Sequence, residues 1–168
     1  MCCIAYIKME IIIRKGKNED MLAVFKLIKE LAIYEKESDA VIISLKDLEK
    51  NGFGPSPLFQ VQVAIVDGLI VGMILYYYCF STWKGKMLYI EDIVVSLKYR
   101  RLGIGKKLFD TVFKIALEVD VQQIRFHVLD WNELALGFYR KNYDVSIEEQ
   151  WVTCKIDKHQ LKLDSIKL

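Results

Sequence analysis

Arg100-Arg101-Leu102-Gly103-Ile104-Gly105 lies between a strand-like apolar run at 87–95 and an amphipathic stretch that begins at Lys106. Two glycines at a strand-to-helix turn let the backbone turn tightly and come close to a ligand. Unpaired N–H groups at the helix start then converge on phosphate oxygens. Arg100 adds a planar, permanently charged fork. A Walker-type loop would need Gly at 100 and Ser or Thr at 107, where the chain has Arg100 and Lys107. A dinucleotide fingerprint starting at Gly103 and Gly105 would need Gly or Ala at 108, which is Leu108. Taken alone, the turn fits an anion site and a plain helix start after a loop equally well.

The pattern on either side sets the fold class. Residues 9–14 read as a strand. Asn18, followed by Glu19 and Asp20, reads as the N-cap of a helix whose Met21, Val24, Phe25, Ile28, Leu31 and Ala32 recur at helical spacing to about Tyr34. Ser44-Leu45-Lys46-Asp47 has the form of a capping box for a short helix ending at Asn51-Gly52. Strands at 58–66 and 69–80 are joined by Asp67-Gly68, a hairpin signal, and 87–95 follows across the turn 81–86. A helix at 106–119, a strand at 123–129, a helix at 133–141 and a last strand at 150–156 complete the order. Antiparallel strands followed by alternation with helices predict an α/β (mixed α+β) class, with a central mixed, mostly antiparallel sheet flanked by helices.

With 168 residues, 53% of them hydrophobic, the chain suits one sizeable core, expected as a single domain over 11–168 behind an extension at 1–10. Twenty-four basic against 22 acidic residues leave a net charge of +2, which gives no reason to expect a nucleic acid or a membrane as partner. Cys2, Cys3, Cys79 and Cys154 show no metal-like spacing, and only His127 and His159 could join them, so no metal is expected and a reduced, cytoplasmic protein is the simplest reading. The uncharged run 69–83 is short and rich in Val, Ile and Tyr, hence strand rather than membrane span. The start of the chain lacks a leader pattern, and Cys2 and Cys3 belong to the extension.

Glu91 and Asp92 interrupt an apolar strand. Adjacent strand residues face opposite sides, so one of the two carboxylates is expected to point toward the buried face. An internal salt bridge or a bulge would explain it, and so would a general base with a raised pKa.

The string Arg-x-x-Gly-x-Gly at this junction, together with the element order, resembles the GNAT family of N-acetyltransferases over nearly all of 11–157. The resemblance implies the family's fold and acetyl-CoA as acetyl donor. It implies contact with the cofactor by Ile93, Val94 and Val95, by Arg100, Arg101, Leu102, Gly103, Ile104, Gly105 and Lys106, and by Asn132, Glu133, Leu134 and Ala135. An attacking amine is protonated at neutral pH, so transfer needs a base, and Glu91 can serve directly or through a water. Backbone N–H groups near Ile93 and Val95, if freed from the ladder, would hold the oxyanion. Tyr139 matches the tyrosine that protonates the departing sulfur.

Longer strings, among them 27–32, Asn51-Gly52-Phe53-Gly54, Ser81-Thr82-Trp83-Lys84-Gly85 and Val128-Leu129-Asp130-Trp131-Asn132, resemble the diamine acetyltransferases. That group contains the spermidine/spermine enzymes and a branch that prefers thialysine. The polyamine branch carries Asp-Pro-Trp where this chain has Ser81-Thr82-Trp83, and a polycation needs carboxylates, so thialysine or a lysine-like amine is expected ahead of spermine. Tyr34, Glu35, Ser81, Trp83, Glu91, Asp92, Arg125, Phe126, His127 and Glu149 are the substrate positions this resemblance implies, and a homodimer is the implied assembly. Arg101 stands where the group commonly has glycine, and Asn142 is the residue expected to accept a left-handed backbone in the shortened segment after Tyr139. The competing function is a non-catalytic acyl-CoA-binding module.

Overall fold

A computed structural model describes residues 9–161, so the extension carrying Cys2 and Cys3 lies almost wholly outside the described residues. The chain divides after Leu129 into two compact units.

The first unit is built on a five-stranded sheet in the order β1-β2-β3-β4-β5: β1 Ile12–Lys15, β2 Gln60–Val66, β3 Leu69–Ser81, β4 Gly85–Val95 and β5 Gln123–Phe126. The first four strands pair antiparallel and β5 runs parallel to β4. Asp67 (φ 48°) and Gly68 (φ 78°) turn β2 into β3 with both central residues left-handed, as a two-residue hairpin requires.

Helices α1 (Met21–Tyr34) and α2 (Leu45–Phe53) pack on one face, where Met21, Val24, Leu27 and Leu48 meet Val61, Val63, Met73, Leu75 and Val94. Helix α3 (Ile104–Glu118) covers the other face. A side chain at Gly72 would meet Leu108 and Ile104, and Phe109 packs edge-on against Phe126 at 5.7 Å. Neighbouring residues 72 and 73 thus serve opposite faces, as the pleat dictates.

Asn18 does not cap α1. It opens a 3-10 turn, and Asp20 closes that turn by accepting from the Lys17 N–H at 2.8 Å and from both ends of the Arg14 fork at 2.6 and 2.9 Å. A buried carboxylate needs such pairing, and the Arg14 hydrogen bond holds Asp20 below the usual range. Ser44 caps α2 as expected, its Oγ accepting from the Asp47 N–H at 3.2 Å.

The second unit contains α4 (Glu133–Asn142), capped by Asn132, whose Oδ1 accepts from the Ala135 N–H at 3.2 Å. Asn142 does not turn left-handed. It is the last helical residue, its Nδ2 donating to the Phe138 carbonyl at 2.7 Å, and the backbone runs on extended at Tyr143. The expected strand at 150–156 does not form. Those residues are exposed and join no ladder, because β-propensity cannot replace a partner edge. Cys154, within this segment, is accordingly exposed. Among the described residues no helix is long and apolar enough to cross a membrane.

Candidate active site

The ladder between β3 and β4 slips at one place. Leu75 faces Asp92 and Tyr76 faces Ile90, so Glu91 is an extra residue without a partner on β3. A bulge re-aims side chains, and here it brings two carboxylates to one face instead of dividing them between two. Asp92 stands opposite Leu75 on the α1 side, where it senses the charges of Glu91 and Glu35. Glu91 approaches Tyr77 and Tyr89, which belong to the same face as Leu75 by alternation along the strands. The expectation that the pair would straddle the sheet therefore fails, and the extra residue is the reason.

Burial, then repulsion from Glu91 and Glu35, lifts the Asp92 carboxyl from 3.8 to about 6. Burial and the charge of Glu37 likewise raise Glu35, which follows the last residue of α1. Burial and the Glu91 carboxylate, with Tyr89, Cys79 and a hydrogen bond to Glu91 adding to them, push the Tyr77 phenol up to about 12. Tyr77 stacks on Tyr89 (5.1 Å, 28°), and the Tyr89 hydroxyl is hydrogen-bonded to His127 Nδ1. Tyr77 and Tyr89 were missed in the sequence, although the hairpin closing at Ser81 and Gly85 sets them opposite each other and their period-two spacing puts them on the face of Glu91.

Pairing between β4 and β5 ends at Ile90 and Phe126, so among the described residues no strand continues the ladder and β4 has an open edge from Glu91 to Val95. The Ser96 N–H donates to the Val71 carbonyl at 2.8 Å, and the antiparallel alternation counted back from it turns the Ile93 and Val95 amides away from β3, toward that open edge. These are the donors an oxyanion needs. Val94 points its side chain into the core instead.

The turn leading into α3 starts the helix at Ile104, two residues earlier than the periodicity suggested. Gly103 (φ 79°) is its N-cap, and the first intrahelical bond runs from the Lys107 N–H to the Gly103 carbonyl at 3.1 Å. The amides of Ile104, Gly105 and Lys106 are therefore first-turn donors, the arrangement that receives anions. Gly103 is required for its left-handed φ. At Gly105 a Cβ would meet only Val95 Cγ2 at 3.8 Å, an ordinary contact. Ile104 anchors the helix in the core, Leu102 is exposed, and Lys106 pairs with Asp110, one turn further along α3, at 2.7 Å. Arg101 occupies the left-handed region (φ 66°), which explains the glycine preference at this position: a Cβ there is strained. Arg100 donates from Nε to the Val95 carbonyl at 3.0 Å and lies over the Tyr34 ring at 4.7 Å.

Two expected positions, Ser81 and Trp83, are not brought to Glu91. They lie at the tip of the β3–β4 hairpin, roughly 20 Å along the strand from the bulge at the usual rise per residue. Ser81 Oγ accepts from the Trp83 and Lys84 amides at 3.2 and 3.1 Å, and Trp83 is exposed. Arg125 faces the same side as Tyr89, whereas Phe126 turns to Phe109 of α3. In the second unit, Glu133, Leu134 and Ala135 form the first turn of α4, Glu149 is exposed, and Tyr139 is buried, which pushes its phenol up to about 12. Among the described residues, no group of three His, Cys, Asp or Glu side chains is arranged to hold a metal ion.

An open strand edge, a helix start built for anions and a bulged carboxylate pair beside them are the parts of an acyl-transfer site. Residues 21–143 match the acetyltransferase (GNAT) family, and the chain belongs to it. It is an N-acetyltransferase, and its family takes the acetyl group from acetyl-CoA. The thialysine N-epsilon-acetyltransferase of Bos taurus is 40% identical over 151 residues, covering 84% of this chain and 89% of that protein. The spermidine/spermine N(1)-acetyltransferase-like protein 1 of Homo sapiens is 34% identical over 89% of this chain, which spans 23% of that longer protein. An integron cassette protein from the mobile metagenome of V. cholerae has the same fold, with a TM-score of 0.75 at 22% identity over 94% of this chain and 99% of that one.

Proposed function

We propose that the protein moves the acetyl group of acetyl-CoA to a primary amine of a small lysine-like molecule, with thialysine used ahead of spermine, by direct attack on the thioester. The bulge at Glu91 carries this reading: it gathers Glu91 and Asp92 beside the open edge of β4, where a protonated amine would meet a carboxylate pair before meeting the thioester.

In the proposed reaction Glu91 removes a proton from the ammonium, directly or through a water, and Asp92 and Glu35 offset the remaining positive charge of the acceptor. The amine nitrogen bonds to the thioester carbon while the carbonyl oxygen becomes an oxyanion held by the Ile93 and Val95 amides. Collapse of this adduct breaks the carbon–sulfur bond, Tyr139 gives its proton to the leaving thiolate, and the second proton shed by the acetylated nitrogen returns through water to the Tyr139 phenolate. A phenol held at about 12 keeps that proton throughout the neutral range. The first-turn amides of α3 with Arg100 and Arg101 hold the pyrophosphate, and Asn132 to Ala135 hold the rest of the CoA arm. Tyr34, Arg125, His127 and Glu149 complete the proposed acceptor contacts, whereas Ser81, Trp83 and Phe126, expected among them, stand too far from Glu91 or on the other face of the sheet to touch a small amine there.

The family match crosses the boundary between the two units, which supports one catalytic domain over 11–168. A cytoplasmic, metal-free homodimer without nucleic-acid or membrane partners completes the proposal, and sizing in solution tests the dimer. The decisive experiment is acetyl-CoA-coupled turnover of thialysine, lysine, putrescine, spermidine and spermine at equal concentration. Thialysine is expected to show the highest kcat/KM. Spermine far ahead would overturn the ordering. Binding of acetyl-CoA with no turnover of any amine would favour the acyl-CoA-binding module.

A further inference from the structure

Helix α1 and the connection between β4 and α3 are joined at two points one helical turn apart. Glu30 accepts through Oε1 from the Leu97 N–H at 2.7 Å, and Tyr34 lies under the Arg100 guanidinium at 4.7 Å. Residues 30 and 34 share a helix face, so the same stripe of α1 meets both ends of the short turn at 97–100. Arg100 is fixed from its other side by the Val95 carbonyl, at 3.0 Å from Nε. That carbonyl lies on the same strand edge as the Val95 amide, because N–H and C=O of one residue in an antiparallel strand point the same way.

The end of α1 is a place that needs holding. Its last residue is Tyr34, the Glu35 and Lys36 amides close the helix onto the Leu31 and Ile33 carbonyls at 2.9 and 3.2 Å, and Lys36 turns left-handed (φ 64°). Glu35 then stands where its charge is felt at Asp92, which also feels Glu91. Three like charges repel, and the repulsion pushes the end of α1 away from β4. A planar cation laid on Tyr34 and hydrogen-bonded to β4 opposes that displacement. A lysine could supply the charge but neither the stacking plane nor the Nε donor.

We propose that Arg100 is a positioning residue for the amine site: it ties the turn of α1 carrying Tyr34 and Glu35 to the edge of β4 that receives the acetyl group. This rests on the acetyl-transfer reading above and adds to Arg100 a role distinct from charge at the pyrophosphate. The loop that holds the donor and the helix end that holds the acceptor are mechanically one piece, joined through this side chain.

The test compares Arg100→Gln, Arg100→Lys, Tyr34→Leu and the Arg100→Gln/Tyr34→Leu pair, with amide exchange and kinetics read on the same proteins. Exchange at the Glu35 and Lys36 amides is expected to quicken about tenfold in both Arg100 variants, while amides in the middle of α1 stay protected. At saturating acetyl-CoA the amine KM should rise about fivefold in Arg100→Gln, and less than twofold when the same change is made on Tyr34→Leu. Unchanged exchange at the end of α1 overturns the proposal. So does a rise confined to the acetyl-CoA KM, or multiplicative effects of the two substitutions. Quickened exchange in a protein that acetylates none of the amines would instead count against the acetyl-transfer reading and leave the tether standing.

Discussion

Replacing Asp92 by Asn should stabilise the protein and impair it at once. In the folded chain, burial and the charges of Glu91 and Glu35 lift the Asp92 carboxyl from 3.8 to about 6. A carboxyl whose pKa is raised by folding prefers its neutral form in the native state. Its contribution to stability is fully present below the unfolded pKa and is lost as pH rises from about 4 through about 6. Two units correspond to roughly 3 kcal/mol lost by pH 8. Asparagine keeps the shape without the charge, so urea unfolding at pH 8 should show the variant more stable by about 1–3 kcal/mol, the lower end allowing for imperfect hydrogen bonding of the amide. At pH 4, where the native carboxyl is protonated, the two proteins should differ little. Turnover moves the other way: losing a charge-assisted contact to an ammonium costs about 10- to 100-fold in kcat/KM for the amine. A variant that is destabilised at pH 8, or whose stability difference stays flat from pH 4 to 8, would refute the account of Asp92 as a desolvated, repelled carboxylate.

Three further outcomes are expected. Arg101→Gly relieves a left-handed φ of 66° that costs a non-glycine residue about 1–2 kcal/mol, partly offset by the flexibility glycine adds to the unfolded chain. Thermal melting should show a Tm about 2–3 °C higher, and loss of the charge should raise the acetyl-CoA KM about two- to fivefold; a lower Tm would refute the strain argument. At Gly72 a Cβ would lie 3.0 Å from the Val94 carbonyl oxygen, 3.3 Å from Leu108 and 3.4 Å from Ile104, so Gly72→Val should destabilise by about 1–3 kcal/mol in denaturant titration and weaken acetyl-CoA binding by lifting the start of α3. Tyr139→Phe should lower kcat about 100-fold or more with little change in either KM, measured under saturating substrates; near-normal turnover rejects the acid role.

Much of this was legible along the chain. Ser44 and Asp47 bond to each other across three residues, and Asp67-Gly68 closes a hairpin with its own two left-handed residues. Such features form between near neighbours, so the residues that make them also announce them. Asn18 misled because the carboxylate that closes that turn, Asp20, is chosen by Arg14 on β1. The run 150–156 misled because its Trp, Val, Thr and Cys are good strand formers without a ladder to join. Asn142 misled because its side chain found the Phe138 carbonyl, which removed the need for a left-handed turn.

At the site the division is the same. The glycine-bearing turn before α3 and the carboxylates within β4 are visible in residue types and short spacings, which act over a few bonds, whereas the acid role expected of Tyr139 comes from the family resemblance. Register is not visible in this way. One unpaired residue, Glu91, sets both carboxylates on a single face, and which residue goes unpaired depends on how 81 and 85 close the hairpin and on what α1 packs against Leu75 and Val94. The early end of the β4–β5 ladder, the half-burial that raises Asp92, and the seat of Arg100 between Val95 and Tyr34 likewise arise only once segments far apart in sequence share one core. Local chemistry names the groups; long-range packing aims them.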